Sequence, residues 1–149
     1  MLFLIIKWFL NEVFPSIRKS IPDVELLVGG GICKVLPSLG KIEGVSAMGY
    51  IDNPAEFYAK ADVAINPVFQ GTGLKIKTFE AISFDKVTLV HPHSMAGVFR
   101  KEDTPLFASD KPEAWVAFLK KIWGNPDAVN VIKQKNKEYL QAMNEFIIG

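Results

Sequence analysis

Residues 63–82 read VAINPVFQGTGLKIKTFEAI. The apolar run Val63–Ile65 predicts a buried strand, the glycines around Thr72 predict a loop, and the pattern near 74–84 predicts a helix. A strand that turns through glycines into a helix is typical of α/β proteins, in which strands and helices alternate. We therefore expect an α/β fold with a Rossmann-like parallel sheet and helices on both faces.

The same stretch carries groups suited to binding an anion. A helix N-terminus behind glycines collects backbone N–H groups and the positive end of the helix dipole, and both favour phosphate. Lys77 and Glu80 are three residues apart and share one helix face. A cation for phosphate beside a carboxylate for sugar hydroxyls suits a nucleotide diphosphate. The alternative is a solvated ion pair that contributes only a few tenths of a kcal/mol.

The rest of the chain repeats the alternation of strand and helix. Helices are predicted near 7–20, 54–61 and 112–123, with a last helix to about Phe146, and Pro15 is expected to bend the first or mark its last turns. Further strands are predicted at 24–28, 45–48, 87–90 and 106–108. Ligands of open parallel sheets bind at the carboxyl ends of the strands. The loops 29–31, 49–53 and 67–73 are therefore the candidate binding loops.

Composition excludes several functional classes. The chain has 149 residues, which predicts one domain, and a net charge of +1, which argues against nucleic-acid binding. One cysteine, Cys33, excludes an internal disulfide framework and favours a reducing, cytoplasmic location. One cysteine and two histidines do not make a zinc site, and we expect no metal. The loop histidines His91 and His93 are interpreted as structural or solvated rather than catalytic.

Four segments together resemble a known family. In chain order they are PDVELLVGGG (22–31), VSAMGYID (45–52), YAKADV (58–63) and GTGLKIKTFEA (71–81). Their order and spacing resemble the C-terminal, nucleotide-sugar-binding domain of GT-B glycosyltransferases of the family 4 (group 1) type. The resemblance implies that residues 1–149 are one half of a GT-B fold and a fragment of a longer two-domain protein.

The resemblance also implies roles for individual residues. Glu80 corresponds to the glutamate that accepts hydrogen bonds from the donor ribose, and Lys77 is expected near phosphate. The donor-binding loop and helix start, whose N–H groups face the diphosphate, correspond to Gly71, Thr72, Gly73, Leu74 and Lys75. The turn that holds the nucleobase corresponds to Gly49, Tyr50 and Ile51. The nucleotide diphosphate sugar would be a substrate, with no separate cofactor, and transfer would retain the anomeric configuration.

The sequence departs from the family pattern at two places. Many members carry a glutamate eight residues before the one at Glu80, where this chain has Thr72, and that residue usually touches the sugar. The family's small-Gly-Pro-Val after the helix is replaced by FDKV at 84–87.

Parts of the family's machinery would lie outside these 149 residues. The acceptor domain and the basic pair that neutralises the diphosphate belong upstream in many members. The resemblance allows peripheral membrane association of the full-length protein. A non-catalytic nucleotide-binding or interaction module and a nucleotide-sugar epimerase fragment remain as alternatives.

Overall fold

The structure, a computed structural model, describes residues 7–67 and 75–148. Within these ranges the strands are β1 (Leu26–Gly29), β2 (Val45–Gly49), β3 (Val63–Asn66), β4 (Val87–Val90) and β5 (Phe107–Ala108). The α-helices are α1 (Phe14–Ser20), α2 (Ile32–Val35), α3 (Pro54–Ala59), α4 (Lys75–Ser83), α5 (Pro112–Ile122) and α6 (Pro126–Ile148). The 3₁₀ helices are Pro37–Lys41, Pro92–Met95 and Lys101–Asp103. The predicted α/β alternation is confirmed.

The first helix contains a wide turn just before Pro15. A π-helical segment, Phe9–Val13, runs directly into α1, and the N–H of Phe14 donates to the carbonyl of Phe9, five residues back. In a regular α-helix the proline ring would clash with the carbonyl four residues earlier. An extra residue in the preceding turn relieves that clash, as π-bulges beside prolines do. The irregularity expected at Pro15 is therefore a π-helical segment within a continuous helix.

All strand pairs in the described ranges are parallel, and they form two ladders. β1 pairs with β2, with Leu26 opposite Val45. β4 lies between β3 and β5, with Val63 opposite Val87 and Leu89 opposite Phe107. Parallel pairing requires a crossover connection between strands, which the intervening helices provide.

Both ladders pack against one helical layer. The first helix and α5 contribute the buried side chains Phe9, Val13, Phe14, Ile17, Trp115, Leu119 and Ile122. Leu26 and Val28 of β1 pack against this cluster, and so do Val63 and Ile65 of β3. The two ladders therefore share a face and a core.

Helices also cover the opposite face at β4. All four residues of β4 are buried, although neighbouring side chains of a strand point to opposite faces. α4 and α6 both contact β4, and Asn136 Nδ2 of α6 donates to the carbonyl of Lys86 at 3.0 Å. The predicted covering on both faces is thus observed at this strand. None of the helices in the described ranges combines the length and apolar character needed to cross a membrane.

The turn between α4 and β4 contains the residues FDKV (84–87), which differ from the small-Gly-Pro-Val pattern of the family that the sequence resembles. Asp85 adopts a left-handed backbone with φ 61°, a conformation that glycine adopts freely and aspartate only at a cost. Its Oδ1 is buried and has no hydrogen-bond partner in the part of the chain that the structure describes. Lys86 supports the turn, because its Nζ donates to the carbonyl of Ala61 at 2.7 Å.

Candidate functional site

Two glycine turns meet at the carboxyl ends of β1 and β2. Gly30 has φ 95° and Gly49 has φ 68°, so both take backbone conformations that side chains disfavour. The N–H of Gly30 donates to the carbonyl of Gly49 at 2.7 Å, which ties the turns together. A methyl group built on Gly49 would meet no atom within 4 Å. The turn therefore offers accessible backbone at the edge where ligands of parallel sheets bind.

Ile51 is held against β1 because Gly29 has no side chain. A methyl group on Gly29 would lie 2.7 Å from Ile51 Cδ1 and 3.1 Å from Phe57 Cε2. The glycine thus allows close packing of the chain beyond the turn. Tyr50, between Gly49 and Ile51, is 83% exposed and presents an aromatic ring to solvent.

An open groove of about 270 Å³ follows this turn. Its lining residues are Met48, Tyr50, Ile51, Asp52, Asn53, Glu56, Phe57 and Lys60. The groove runs onto α3, whose start is fixed by the Asn53 side chain accepting from the N–H of Ala55 at 3.0 Å. This N-cap, followed by Pro54, is the helix start predicted from the sequence. Exposed aromatic and apolar surface beside accessible backbone can hold a planar, polar-edged ring.

Glu80 is the centre of a second cluster, between α3 and α4. The hydroxyl of Tyr58 donates to Glu80 Oε2 at 3.4 Å. Lys77 Nζ lies 3.2 Å from the same oxygen, so the predicted shared helix face of Lys77 and Glu80 is confirmed. The side chain of Glu80 is 22% exposed and that of Lys77 is 67% exposed. The carboxylate is therefore sheltered while the ammonium remains mostly in water.

Stacked aromatic rings fix the orientation of Tyr58. Its ring stacks on Phe84 with centroids 5.0 Å apart and planes at 21°. Burial, the negative charge of Glu80 and the hydrogen bond to it together raise the pKa of Tyr58 to about 12, and burial is the largest of the three causes. The phenol therefore stays protonated and keeps donating to Oε2. Oε1 takes neither of these two contacts, and a second acceptor oxygen suits the hydroxyls of a sugar.

α4 is anchored to the end of β3 by a buried hydrogen bond. Asn66 Nδ2 donates to Thr78 Oγ1 at 2.8 Å, and both residues are buried. A buried polar pair of this kind is costly to break, because each group would lose its partner away from water. The bond holds the helix that carries Lys77 and Glu80 in register with the strand end.

The two clusters are joined through α3. Phe57, which faces Gly29, and Tyr58, which contacts Glu80, are neighbours with ring centroids 5.9 Å apart. The structure thus connects the predicted base-binding turn with the predicted ribose-binding glutamate. The predicted loop residues Gly71, Thr72, Gly73 and Leu74 lie outside the described residues. Lys75 begins α4, and its side chain also lies outside the description.

Sequence reasoning did not assign a role to Tyr58 or Phe84. Phe84 follows Glu80 by four residues, and this spacing places the two on one helix face. Tyr58 opens the YAKADV segment, but its contact with Glu80 spans 22 residues of sequence. The four-residue spacing could therefore have predicted that Phe84 lies near Glu80, whereas the contact of Tyr58 with Glu80 depends on tertiary packing.

His91 has a structural contact. Its Nδ1 accepts the N–H of His93 at 3.1 Å and caps the 3₁₀ helix Pro92–Met95. Burial lowers the pKa of His91, which favours the neutral ring that such acceptance requires. Among the described residues no group of three or more His, Cys, Asp or Glu side chains is placed to hold a metal ion.

Comparison with known proteins places the sequence in a family. The family model described as "Glycosyl transferases group 1" matches residues 5–125. A protein described as "Uncharacterized 44.6 kDa protein in cps region", from Klebsiella pneumoniae, is 31% identical over 84 residues, which is 50% of this chain. The match covers 22% of that relative's length. The residues matched by the family model include both clusters of the candidate site.

Proposed function

Since this chain belongs to the group 1 glycosyltransferase family, we propose that it binds the nucleotide diphosphate sugar donor for glycosyl transfer. Membership of the family supports the reaction class, and the chemistry of the site supports the choice of donor. In the intact protein, transfer to an acceptor would require a second domain, and the resemblance implies retention of the anomeric configuration. Residues 1–149 would form the donor-binding half.

The observation that carries this proposal is the sheltered carboxylate of Glu80. A solvated helix glutamate needs no fixed partner, but Glu80 is 22% exposed and receives Tyr58 and Lys77 on one oxygen. A carboxylate fixed in this way can accept two hydroxyl hydrogens of a ribose with little loss of side-chain entropy. We assign ribose recognition to Glu80, with Tyr58 as its positioning residue.

The nucleobase belongs at the turn Gly49–Ile51 in this proposal. The exposed backbone of the turn supplies N–H and C=O groups for the polar edge of a base, and the adjoining groove supplies apolar surface. Phe57 and Tyr58 connect this turn to Glu80, as the linkage of base to ribose requires.

The diphosphate belongs at the start of α4. The helix dipole and the N–H groups of the first turn favour anions, and Lys77 adds an exposed ammonium beside Glu80. These groups would stabilise the charge that develops on the leaving diphosphate. The family's basic pair would contribute from outside this chain.

Titration calorimetry with UDP, GDP and ADP tests the proposal. We expect one nucleotide to bind, and both Glu80→Ala and Lys77→Ala to weaken it. Loss of a hydrogen bond to a charged group costs about 1.5–3 kcal/mol, which is about tenfold or more in Kd for Glu80→Ala. Glu113→Ala, an exposed glutamate in the first turn of α5, is the matched control and should leave Kd unchanged.

A 2′-deoxynucleotide separates ribose recognition from a general electrostatic effect. If Glu80 accepts the ribose hydroxyl, the deoxy form should bind more weakly than the ribo form to the wild type and equally to Glu80→Ala. An equal preference in both proteins would refute the assignment. Absence of binding by both this chain and the full-length protein would refute the donor site.

A non-catalytic nucleotide-binding module is the second candidate, favoured by Thr72 at the position of the family's first glutamate. A non-catalytic module should bind a nucleotide diphosphate and its sugar conjugates with equal affinity. A donor site should bind the two with different affinities. We expect the 149-residue chain to bind nucleotide without turnover. Sugar transfer at a normal rate by this chain alone would contradict that expectation.

A further inference from the structure

The groove beside the turn Gly49–Ile51 carries charged side chains to which the proposed function gives no role. Asp52, Glu56 and Lys60 all line it. Its volume of about 270 Å³ lies just below the range of about 300–1,000 Å³ that is typical of sites for a whole drug-sized ligand. The groove therefore suits a single ring system, such as a nucleobase, rather than a complete nucleotide.

These charged groups are not used to stabilise α3. The N-cap is Asn53, whose side chain accepts from the N–H of Ala55. Glu56 and Lys60 are four residues apart, a spacing at which opposite charges commonly pair. In the part of the chain that the structure describes, however, neither side chain forms an ion pair or a hydrogen bond, and the same holds for Asp52. Their polar atoms are therefore available to a ligand in the groove.

The order of the side chains around α3 gives the direction in which a base would lie. Successive residues of a helix are about 100° apart. Going round from Glu56, the helix presents Lys60 at about 40° and Phe57 at about 100°. Tyr58 follows at about 200°, and its hydroxyl contacts Glu80, the proposed ribose acceptor. A base that lies over Phe57 with its ribose towards Glu80 therefore turns its far edge towards Lys60 and Glu56.

Guanine is the base whose far edge these two side chains match in full. This edge presents one acceptor, O6, beside two adjacent donors, N1–H and N2–H. A carboxylate can accept two parallel donors, and an ammonium group only donates. Glu56 and Lys60, side by side on one helix face, thus supply a partner for each of the three groups.

The other bases leave part of this set unpaired. Adenine and cytosine present one amino group beside a ring nitrogen that accepts, so one carboxylate oxygen of Glu56 would receive no hydrogen bond from them. Uracil presents N3–H between two carbonyl oxygens, which a carboxylate repels. Asp52 adds a second negative charge to the groove and disfavours a carbonyl-rich edge further. Unpaired and repelled groups of this kind are the usual source of discrimination between similar ligands.

We propose that the groove binds guanine, so that the nucleotide diphosphate recognised by this chain is GDP. Glu56 accepts the N1–H and N2–H hydrogens, and Lys60 donates to O6. The aromatic rings of Tyr50 and Phe57, which also line the groove, contact the face of the purine. This inference rests on the proposed function for the position of the ribose, and it adds the identity of the base.

Titration calorimetry with GDP, IDP, ADP and UDP tests the inference on the 149-residue chain and on the full-length protein. The hypoxanthine of IDP keeps the O6 and N1–H of guanine and lacks the N2 amino group. GDP should bind about tenfold more tightly than IDP, because IDP loses one hydrogen bond to a carboxylate. UDP should bind most weakly of the four.

Three variants assign the contacts. Glu56→Gln keeps the size of the side chain and replaces one acceptor oxygen with an amino group, so it should weaken GDP about tenfold and bring GDP and IDP close to equal affinity. Lys60→Met removes the donor to O6 and should weaken GDP and IDP alike. Glu113→Gln is the matched control and should change neither affinity, since it alters an exposed glutamate in the first turn of α5, a helix that begins with proline as α3 does.

The ratio of the GDP and IDP affinities separates this inference from a general effect of charge, because both nucleotides carry the same diphosphate. Three outcomes would overturn it: tighter binding of UDP or ADP than of GDP, equal binding of GDP and IDP by the wild type, or a preference for GDP over IDP that Glu56→Gln leaves unchanged. Weakened binding by Glu80→Ala in any of these cases would still support the proposed function. Absence of binding of all four nucleotides by both forms of the protein would overturn both.

Discussion

Replacing Glu80 with glutamine should lower the pKa of Tyr58 without restoring its ordinary value. The substitution removes a negative charge 3.4 Å from the phenol oxygen while keeping the size of the side chain. At that distance two unit charges interact by about 1.2 kcal/mol in water and about 5 kcal/mol at an effective dielectric constant of 20. Tyr58 is half-buried, so we take the screened end, about 1 kcal/mol, which corresponds to about 0.7 in pKa.

Burial is the larger cause of the raised pKa, and it persists in Glu80→Gln. We therefore expect the pKa of Tyr58 to fall from about 12 and to remain above 10. The assay is a pH titration of ¹³C-labelled tyrosine ring carbons by NMR, with Tyr58→Phe to assign the signal. Tyr139 is the internal control, because burial alone raises its pKa and its titration should not move. An unchanged pKa of Tyr58 would refute the contact with Glu80, and a fall below 10 would refute burial as the main cause.

Three further predictions concern stability, measured as the free energy of unfolding in denaturant. Because folding raises the pKa of Tyr58, the stabilisation by its protonated form is complete below pH 10 and is lost as pH rises to about 12. The free energy of unfolding should fall by about 1 kcal/mol over this range, after allowance for solvent screening. Tyr58→Phe should remove this dependence of stability on pH. Asp85→Gly should stabilise by about 1 kcal/mol, since glycine accepts φ 61° without strain, and a loss of stability would show that its carboxylate has a compensating partner. Gly49→Ala should destabilise by about 1 kcal/mol because of its φ of 68°, whereas Gly31→Ala, with φ −61° and open space around it, should be nearly neutral.

Local features of the fold and site were predictable from the sequence because they depend on spacing within one element. The salt bridge between Lys77 and Glu80 follows from their three-residue separation on a helix. The N-cap at Asn53 follows from its side-chain oxygen and the proline after it. The short helix α2 and the 3₁₀ helix Pro37–Lys41 were not predicted, because neither is long enough to show a hydrophobic period.

Pairing and packing could not be predicted in the same way. Apolar runs identify β1 and β3 as strands, but the partners of these strands depend on the path of the whole chain. Neither run of sequence indicates that the strands divide into two ladders. The contact of Tyr58 with Glu80 likewise requires α3 to pack beside α4. The left-handed turn at Asp85 overrides a local preference, because the chain must reverse between α4 and β4 within three residues.

In the proposed donor site, the residues assigned to the nucleotide are distinct from the position that contacts the sugar in the family. Glu80 is oriented by Tyr58, Phe84 and Lys77, and none of these belongs to residues 68–74, which include Thr72. Under the proposed function, Thr72 in place of a carboxylate would remove a sugar contact and leave the proposed ribose contact of Glu80 in place. We therefore expect the chain to bind the nucleotide diphosphate even where its selectivity for the sugar is weak. Thr72→Glu should then change the preference between a nucleotide diphosphate and its sugar conjugates, with a smaller effect on the free nucleotide. An equal effect on both ligands would show that the loop and the Glu80 cluster form one coupled site.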